Sequence, residues 1–334
     1  MFTLSSRGLT AACTLLLAAA ALSGCSDERL SPHSVVDAGT EHHSDSDSEL
    51  DRWIRDSITL PYGIEVVYRQ ENHAGATTDR IYPPRLEQVR PALEAFRHLC
   101  LESFAAEGLD RPNLLLGRAP LRLYLYGGTF RDENGMARLY LPTAGSTAEM
   151  ALFNLNAFAP DDEGQVYALA RSGLHQLCKH LTAVMPYDRD AFSRISAQRY
   201  THSTAALVAP WSYTTTPQQQ FGLDSWANKR GCLTMHGMVS AEDDFAEMLS
   251  ATLCATPAQV QAALTEAATP DTDIDPEINA RYAEEAKQAY RELTAKQQFV
   301  DTYVRQTWNL DLRRLQVRTV RRLNSFVQQQ RSHD

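Results

Sequence analysis

The chain has 334 residues, and 41 acidic against 32 basic side chains give it a formal net charge of −9. That balance argues against a nucleic-acid-binding role, which needs a basic surface. No internal repeat and no second long apolar run appear. The body that follows the first fifty residues is long enough for one large domain or two small ones.

In chain order, the first 24 residues come first. Arg7 precedes an apolar run from Leu9 to Leu22 that is too short and too alanine-rich to span a bilayer. It reads as the apolar region of a secretory signal peptide over residues 1–24. The run ends in Leu22-Ser23-Gly24-Cys25, small residues directly before a cysteine, which is the pattern of a bacterial lipobox. Cys25 is therefore expected to carry lipid, palmitate among it, and to hold the mature protein on a membrane while its body stays in water. Ser26-Asp27-Glu28 matches the acidic tag that sends some Gram-negative lipoproteins to the outer membrane and the cell surface. Residues 25–50 are polar and acidic with few large apolar side chains. Such a stretch cannot offset its ordering entropy by burial and reads as a disordered tether. His42 and His43 within it read as solvated linker residues.

In the body, Gly63 to Gln70 is rich in β-branched and aromatic residues and predicts a strand. Arg85 to Ala106 has apolar residues at helical spacing, with Pro91 ending a first turn. Leu121 to Tyr126 alternates and predicts a strand closed by Gly127-Gly128. Arg138 to Leu141 and Ala151 to Asn156 predict two more. From Gln165 onward the chain reads as mostly helical, apart from a polar loop from Thr201 to Phe221. A small mixed sheet in the N-terminal half followed by a mainly helical C-terminal half is an α+β layout. Once Cys13 leaves with the signal peptide and Cys25 is lipidated, Cys100, Cys178, Cys232 and Cys254 remain. They are expected either to form two disulfides or to stay as buried thiols.

Four helices stand out. Gly164 to Val184 carries Ser172 to Val184, SGLHQLCKHLTAV, with histidines at 175 and 180. Ala241 to Cys254 has Ser240 as N-cap and acidic residues in its first turn. Its Asp243 and Glu247 lie four apart, on one face. Pro276 to Arg305 and Leu310 to Gln329 read as scaffold. The arginines of the latter, from Arg313 to Arg322, read as a solvated or acid-contacting face.

Several stretches, in this order and spacing, carry a resemblance. They are Leu60-Pro61-Tyr62-Gly63-Ile64-Glu65-Val66, Tyr82-Pro83-Pro84, Leu155-Asn156-Ala157-Phe158, the helix around His175, Ile195-Ser196 with Tyr200-Thr201, Gly231 with His236, and Asp243-Asp244-Phe245-Ala246-Glu247. Together they resemble the zinc-binding metallo-peptidases found as surface lipoproteins of Gram-negative bacteria, over nearly all of residues 51–325. The resemblance implies a single zincin-like α+β domain over residues 51–334. It also implies a gluzincin site, in which a helix reading HExxH supplies two zinc-binding histidines one turn apart and a glutamate that takes a proton from zinc-bound water. A later helix reading EDFAE supplies an acidic third ligand.

Against that pattern, the helix here has two registers. In the first, His175 is the first histidine, Gln176 replaces the glutamate and Lys179 replaces the second histidine. In the second, which keeps Leu174, Cys178 and Leu181 on apolar positions and is preferred here, His180 is the second histidine and Gln176 and Leu177 stand at the first histidine and the glutamate. Neither offers a carboxylate as base, so no catalytic residue is expected. Asp243 takes the place of the ligand glutamate, His236 that of a site tyrosine, and Glu247 is expected to support the ligands. The remnant metal set is thus His175, His180, His236 and Asp243, with zinc as the implied metal. Histidines five apart sit about 140° apart around a helix, so His175 and His180 are not expected to chelate one ion together.

These readings lead to an expected function. The chain is a family lipoprotein that has lost its peptidase chemistry and serves as a binding or accessory subunit at the outer membrane. Its partners would be uptake-system proteins or a peptide or glycan ligand. The alternative is an active zinc hydrolase with rearranged ligands.

Overall fold

The computed structural model describes residues 48–69, 82–105, 113–131, 148–207 and 221–332. The chain divides into Met1–Ser48 and Glu49–Asp334. The expected signal peptide, Cys25 and nearly all of the tether lie outside the described residues. The second unit begins with helix α1 (Glu49–Ile54), two residues earlier than the sequence reading placed it. The turns after α1 end at Gly63, whose φ of 73° is a left-handed conformation that glycine adopts at no steric cost.

Three short strands follow, β1 (Glu65–Val67), β2 (Arg122–Leu125) and β3 (Glu149–Leu152). They lie in the order β1-β2-β3, with Val66 opposite Leu123 and Leu123 opposite Met150. A mixed sheet was expected, yet both described pairings are parallel. The strands are joined by long connections, α2 (Leu86–Phe96) lying between β1 and β2, and such crossovers return the chain in the same direction. The expected strand at 138–141 lies outside the described residues. The strand expected from Ala151 sits two residues earlier, because Asn154 turns left-handed at φ 62° and starts a 3-10 turn over Leu155–Ala157. Pro91 lies inside α2 instead of ending a turn there. Its missing N–H costs one hydrogen bond near the helix start, and α2 continues past it.

The helical half consists mainly of α3 (Glu163–Val184), α4 (Ala241–Cys254), α5 (Pro257–Ala268), α6 (Pro276–Tyr303) and α7 (Leu312–Arg331). The starts of all five are fixed by a side-chain cap from Asp162, Ser240, Thr256, Asp275 and Asp311 respectively. Such a cap satisfies amides that the first turn would otherwise leave bare. The sequence reading did not single out α5, although Thr256 with Gln259 forms a capping box and Pro257 takes the first helical position.

One apolar core joins the sheet to α2, α3, α4 and α7 through Phe96, Leu123, Leu177, Phe245, Leu249 and Leu315. A β-carbon on Gly173 would stand 2.7 Å from Cys100 Sγ and 2.9 Å from the Phe96 ring, so glycine lets the end of α2 press against α3. On the other side, α4 is pinned by Phe245, whose ring stacks on Tyr187 at 3.7 Å and meets Phe192 edge-on. Aromatic pairs of this kind add about 0.5–1.5 kcal/mol each beyond burial. Cys100, Cys178, Cys232 and Cys254 are all free thiols. Of the two expectations for them, the structure has the thiols. On the basic face of α7, Arg322 meets acid, bonding Glu102 at 2.8 Å.

Candidate functional site

α3 and α4 pack side by side, and the facing residues form a polar group inside an otherwise apolar contact. Four residues advance a helix by about 400°, so His175 and Lys179 share the face of α3 that looks at α4. The matching face of α4 carries Asp243 and Glu247. Asp243 sits in the first turn of α4, where Ser240 Oγ accepts from its N–H at 3.1 Å and donates to Oδ2 at 2.9 Å. His236 enters from the 3-10 turn His236–Met238, just before α4.

Glu247 holds the centre of this group. Its Oε1 lies 2.6 Å from His175 Nδ1, and its Oε2 accepts from Arg171 Nη2 and Thr234 Oγ1, both at 2.6 Å. Arg171 is itself fixed by bonds to Ser250 Oγ and the Phe221 carbonyl. Burial alone would push the Glu247 carboxyl up. The Arg171 charge and the His175 bond overcome it and hold the carboxyl well below the usual range. With Nδ1 committed to Glu247, a ligand for His175 would have to be met at Nε2. Carboxylates orient metal-binding imidazoles in this way.

His175, His236 and Asp243 each bring one potential ligand atom, all within 4.8 Å of one another, and all three side chains are buried. The two imidazole rings meet edge-on at 5.5 Å. His180 is not in this group. It lies about 140° around α3 from His175 and reaches the Arg118 carbonyl through Nε2 at 2.9 Å. Leu177, which the preferred register put at the glutamate position, is fully buried in the apolar core. Of the two registers, the first is the one whose histidine position and lysine position, His175 and Lys179, both face α4.

Gln176, which the first register puts at the glutamate's place, is tied to the sheet. Its Oε1 accepts from the Ala151 N–H at 2.8 Å and its Nε2 donates to the Ala151 carbonyl at 2.7 Å. The side-chain amide thus pairs with the outer edge of β3 as a further strand's peptide group would, satisfying one donor and one acceptor at once. A carboxylate could not do both, because it has no hydrogen to donate.

Lys179 Nζ donates to Asp243 Oδ1 at 2.7 Å. Burial pushes the Asp243 carboxyl up, but His236, Lys179 and His175 together hold it well below the usual carboxylate range. Both Asp243 oxygens are therefore engaged, one by an ammonium and one by Ser240. An ammonium has no lone pair to give a metal and repels a dication. As arranged, the donor set does not fit a zinc ion, although His175, His236 and Asp243 are of the right chemical types.

One residue further on, Asp244 points away from this group. Lys296 Nζ approaches its Oδ2 at 2.6 Å and the Tyr200 hydroxyl donates to the same oxygen at 2.9 Å. Lys296 also donates to the Gly231 carbonyl at 2.7 Å. The sequence reading missed Arg171, Thr234 and Lys296, and gave Asp244 no role of its own. Arg171 left a signal, since it lies one turn before His175 on the face that meets Glu247.

A parallel sheet whose edge runs along a histidine-bearing helix, with a second helix delivering carboxylates across it, defines a metallopeptidase-like α+β protein. The chain belongs to the family described as "Putative zinc-binding metallo-peptidase", which matches residues 43–313. The fold is similar to the crystal structure of a protein of the same description from Bacteroides caccae. That likeness has a TM-score of 0.57 at 20% identity and covers 88% of this chain and 97% of the other. No curated protein matches the sequence.

Proposed function

We propose that this chain is a member of the family without peptidase activity, anchored by lipid on Cys25 at the outer membrane, and acting there as a binding or accessory subunit. The observation that supports the loss of activity is the Gln176 amide, tied to both backbone groups of Ala151, at the position that the first register gives the general base. Zinc-water chemistry needs a base at that point, and a positioned base is typically worth 10²–10⁴-fold in rate. Glutamine cannot take the proton. The neighbouring carboxylates, Asp243 and Glu247, are already paired with Lys179, Arg171 and His175. The anchor rests on the Leu22-Ser23-Gly24-Cys25 run, and the outer-membrane address on Ser26-Asp27-Glu28. Uptake-system proteins, or a peptide or glycan ligand, are the partners proposed for it.

The test of inactivity uses the mature chain purified in detergent, given zinc and assayed on denatured casein and a mixed peptide library. No cleavage above the level of a Glu247→Ala control is expected. Chelator-sensitive cleavage would overturn the reading. It would favour instead a hydrolase using His175, His236 and Asp243, which their grouping within 4.8 Å supports. Fractionation of cells producing the chain or its Cys25→Ser variant tests the anchor. The first should be in the outer membrane and the second should not.

A further inference from the structure

We propose that the Lys179 ammonium takes the metal's place in this site: it is the built-in cation around which Asp243, His175 and His236 are assembled, and zinc must displace it to bind. The inference rests on the register with His175 and Lys179 one turn apart. It deepens the reading of the site as inactive, but it stands or falls on metal binding and not on cleavage.

Three observations carry it. The first is position. Lys179 lies one turn after His175 on the face of α3 that meets α4, and it reaches Asp243 at 2.7 Å; in the register adopted here these are the places of the family's second histidine and third ligand. The second is that the supporting apparatus for a ligand histidine is intact. Glu247 still orients His175 through Nδ1, and Arg171 and Thr234 still fix Glu247. A site whose support had decayed would not keep a buried carboxylate bound to three separate partners, because each buried polar group is costly once unpaired. The third is charge. Asp243 is a buried carboxylate grouped with two imidazoles whose ligand atoms lie within 4.8 Å of it, an arrangement that calls for a cation. Removing the metal without replacement would leave that charge exposed to a low-dielectric surrounding. Lys179 supplies a positive charge from within the chain at the point where one is needed.

The lysine is a removable plug, not part of the deep core. Its side chain keeps 30% of its exposure while that of Asp243 keeps 10%, and its four-carbon stem lets the ammonium swing toward solvent. A histidine there would give back an imidazole one turn from His175. An alanine would simply take the competing cation away and leave His175, His236 and Asp243 to an incoming metal.

The experiment compares the native mature chain with Lys179→His and Lys179→Ala, each dialysed against zinc and then against metal-free buffer. Zinc per chain is measured by elemental analysis, cobalt(II) is followed by visible absorption, and circular dichroism confirms that each variant is folded. The native chain is expected to retain well under about a tenth of a zinc per chain. Lys179→His should retain about one, with the intense absorption of tetrahedral cobalt(II), and zinc should raise its Tm but not that of the native chain. Lys179→Ala should bind zinc at least about tenfold tighter than the native chain, since only the competing cation has been removed. The proposal is overturned if the native chain holds about one zinc and Lys179→Ala binds it no more tightly. It is also overturned if both variants are folded and neither takes up metal. Cleavage of peptides by the native chain would instead strike at the inactive reading, so the two can fail separately.

Discussion

Asp243 and Asp244 are neighbours on one helix, and each meets a lysine, yet the two pairs differ in almost everything else. Adjacent helical residues point about 100° apart, so Asp243 turns to α3 and Lys179 while Asp244 turns to α6 and Lys296. The Asp244–Lys296 pair has no exposed surface at all, whereas the Asp243–Lys179 pair keeps 10% and 30%. Tyr200 adds a hydrogen bond to Asp244 Oδ2, and the Gly231 carbonyl and Cys232 Sγ accept from Lys296. Ser240 and the first turn of α4 support Asp243. The lesson is that one pair is built to stay shut and the other lies where a site could open. Ion pairs of nearly equal length, 2.6 and 2.7 Å, do different things because their surroundings differ.

The harshest way to break the comparison is Lys296→Met. It leaves Asp244 charged in the core with no cation nearby, and the expected loss is about 3–5 kcal/mol in urea denaturation. Adding Asp244→Asn should recover part of it, because the penalty lies in the charge left behind and not in the lost contact. A loss below about 1 kcal/mol would mean that the inner pair is open to water and the contrast with Lys179 is void.

Next in size is Gln176→Glu, which puts a carboxylate beside Ala151. The Ala151 carbonyl would lose its donor and face a carboxylate, for an expected loss of about 1–3 kcal/mol. Repulsion raises the folded pKa of the new carboxyl above its unfolded value of about 4.3. The loss should therefore be slight in acid and grow as the pH rises through and above that value. Denaturation at pH 4 and pH 7 checks the sign. Equal stability of the native chain and the variant at pH 7 would show that Gln176 is not tied to β3 as described.

Lys179→Met should cost less than either, about 1–2 kcal/mol, since Ser240, His236 and the α4 amides still support Asp243 and the pair is partly solvated. Asp243 is held below its ordinary value, so its contribution is complete above the unfolded pKa of about 3.9 and is lost as the pH falls below it. Without Lys179 the carboxyl is less depressed, and less stability is there to lose in acid. Melting curves of both forms between neutral pH and pH 3 should converge. Curves that stay parallel would place the cause of the depression elsewhere.

The sequence carried the scaffold of this contrast more clearly than its contents. Helices long enough to show a period, such as those at 164–184 and 241–254, were legible from their apolar stripes and caps, and the order of short family-like stretches joined them into one domain. The short strands were placed only to within a few residues, because a four-residue strand gives too little alternation to fix its ends. Asn154 in particular takes a left-handed turn that its type only permits. Within the site, His175, His236, Asp243 and Glu247 were visible as residues. Whether His180 or Lys179 faced Asp243 was not, since the apolar pattern favoured the register that uses His180. The angle around α3 decides it only once α4 is seen packed on a particular side. The partners of Asp244 and Glu247 come from residues up to 76 positions away, and no local pattern announces them.

The smallest effect belongs to a third pair, further out still. Glu102 accepts from Arg322 of α7 at 2.8 Å and lies 3.2 Å from His98, with its side chain and that of Arg322 about a quarter exposed. The His98 hydrogen bond, with Arg322 adding to it against the effect of burial, brings the Glu102 carboxyl down to about 2. That depression overstates the stability at stake, because water screens a half-open pair. Arg322→Ala is expected to cost under about 1 kcal/mol. The cost should shrink in 1 M salt, where the screening length falls to about 3 Å. It should also fade as the pH drops from about 4 toward 2, since a carboxyl with a depressed folded pKa gives up its contribution on protonation. Urea denaturation with and without salt measures all of this. If exposure sets the worth of these pairs, the salt-sensitive fraction should be largest for Glu102–Arg322, smaller for Asp243–Lys179 and nil for Asp244–Lys296. A salt-independent loss above about 2 kcal/mol at Arg322 would break that order, and would point to its alkyl stem packing against α2 and the turns that follow it rather than to its charge.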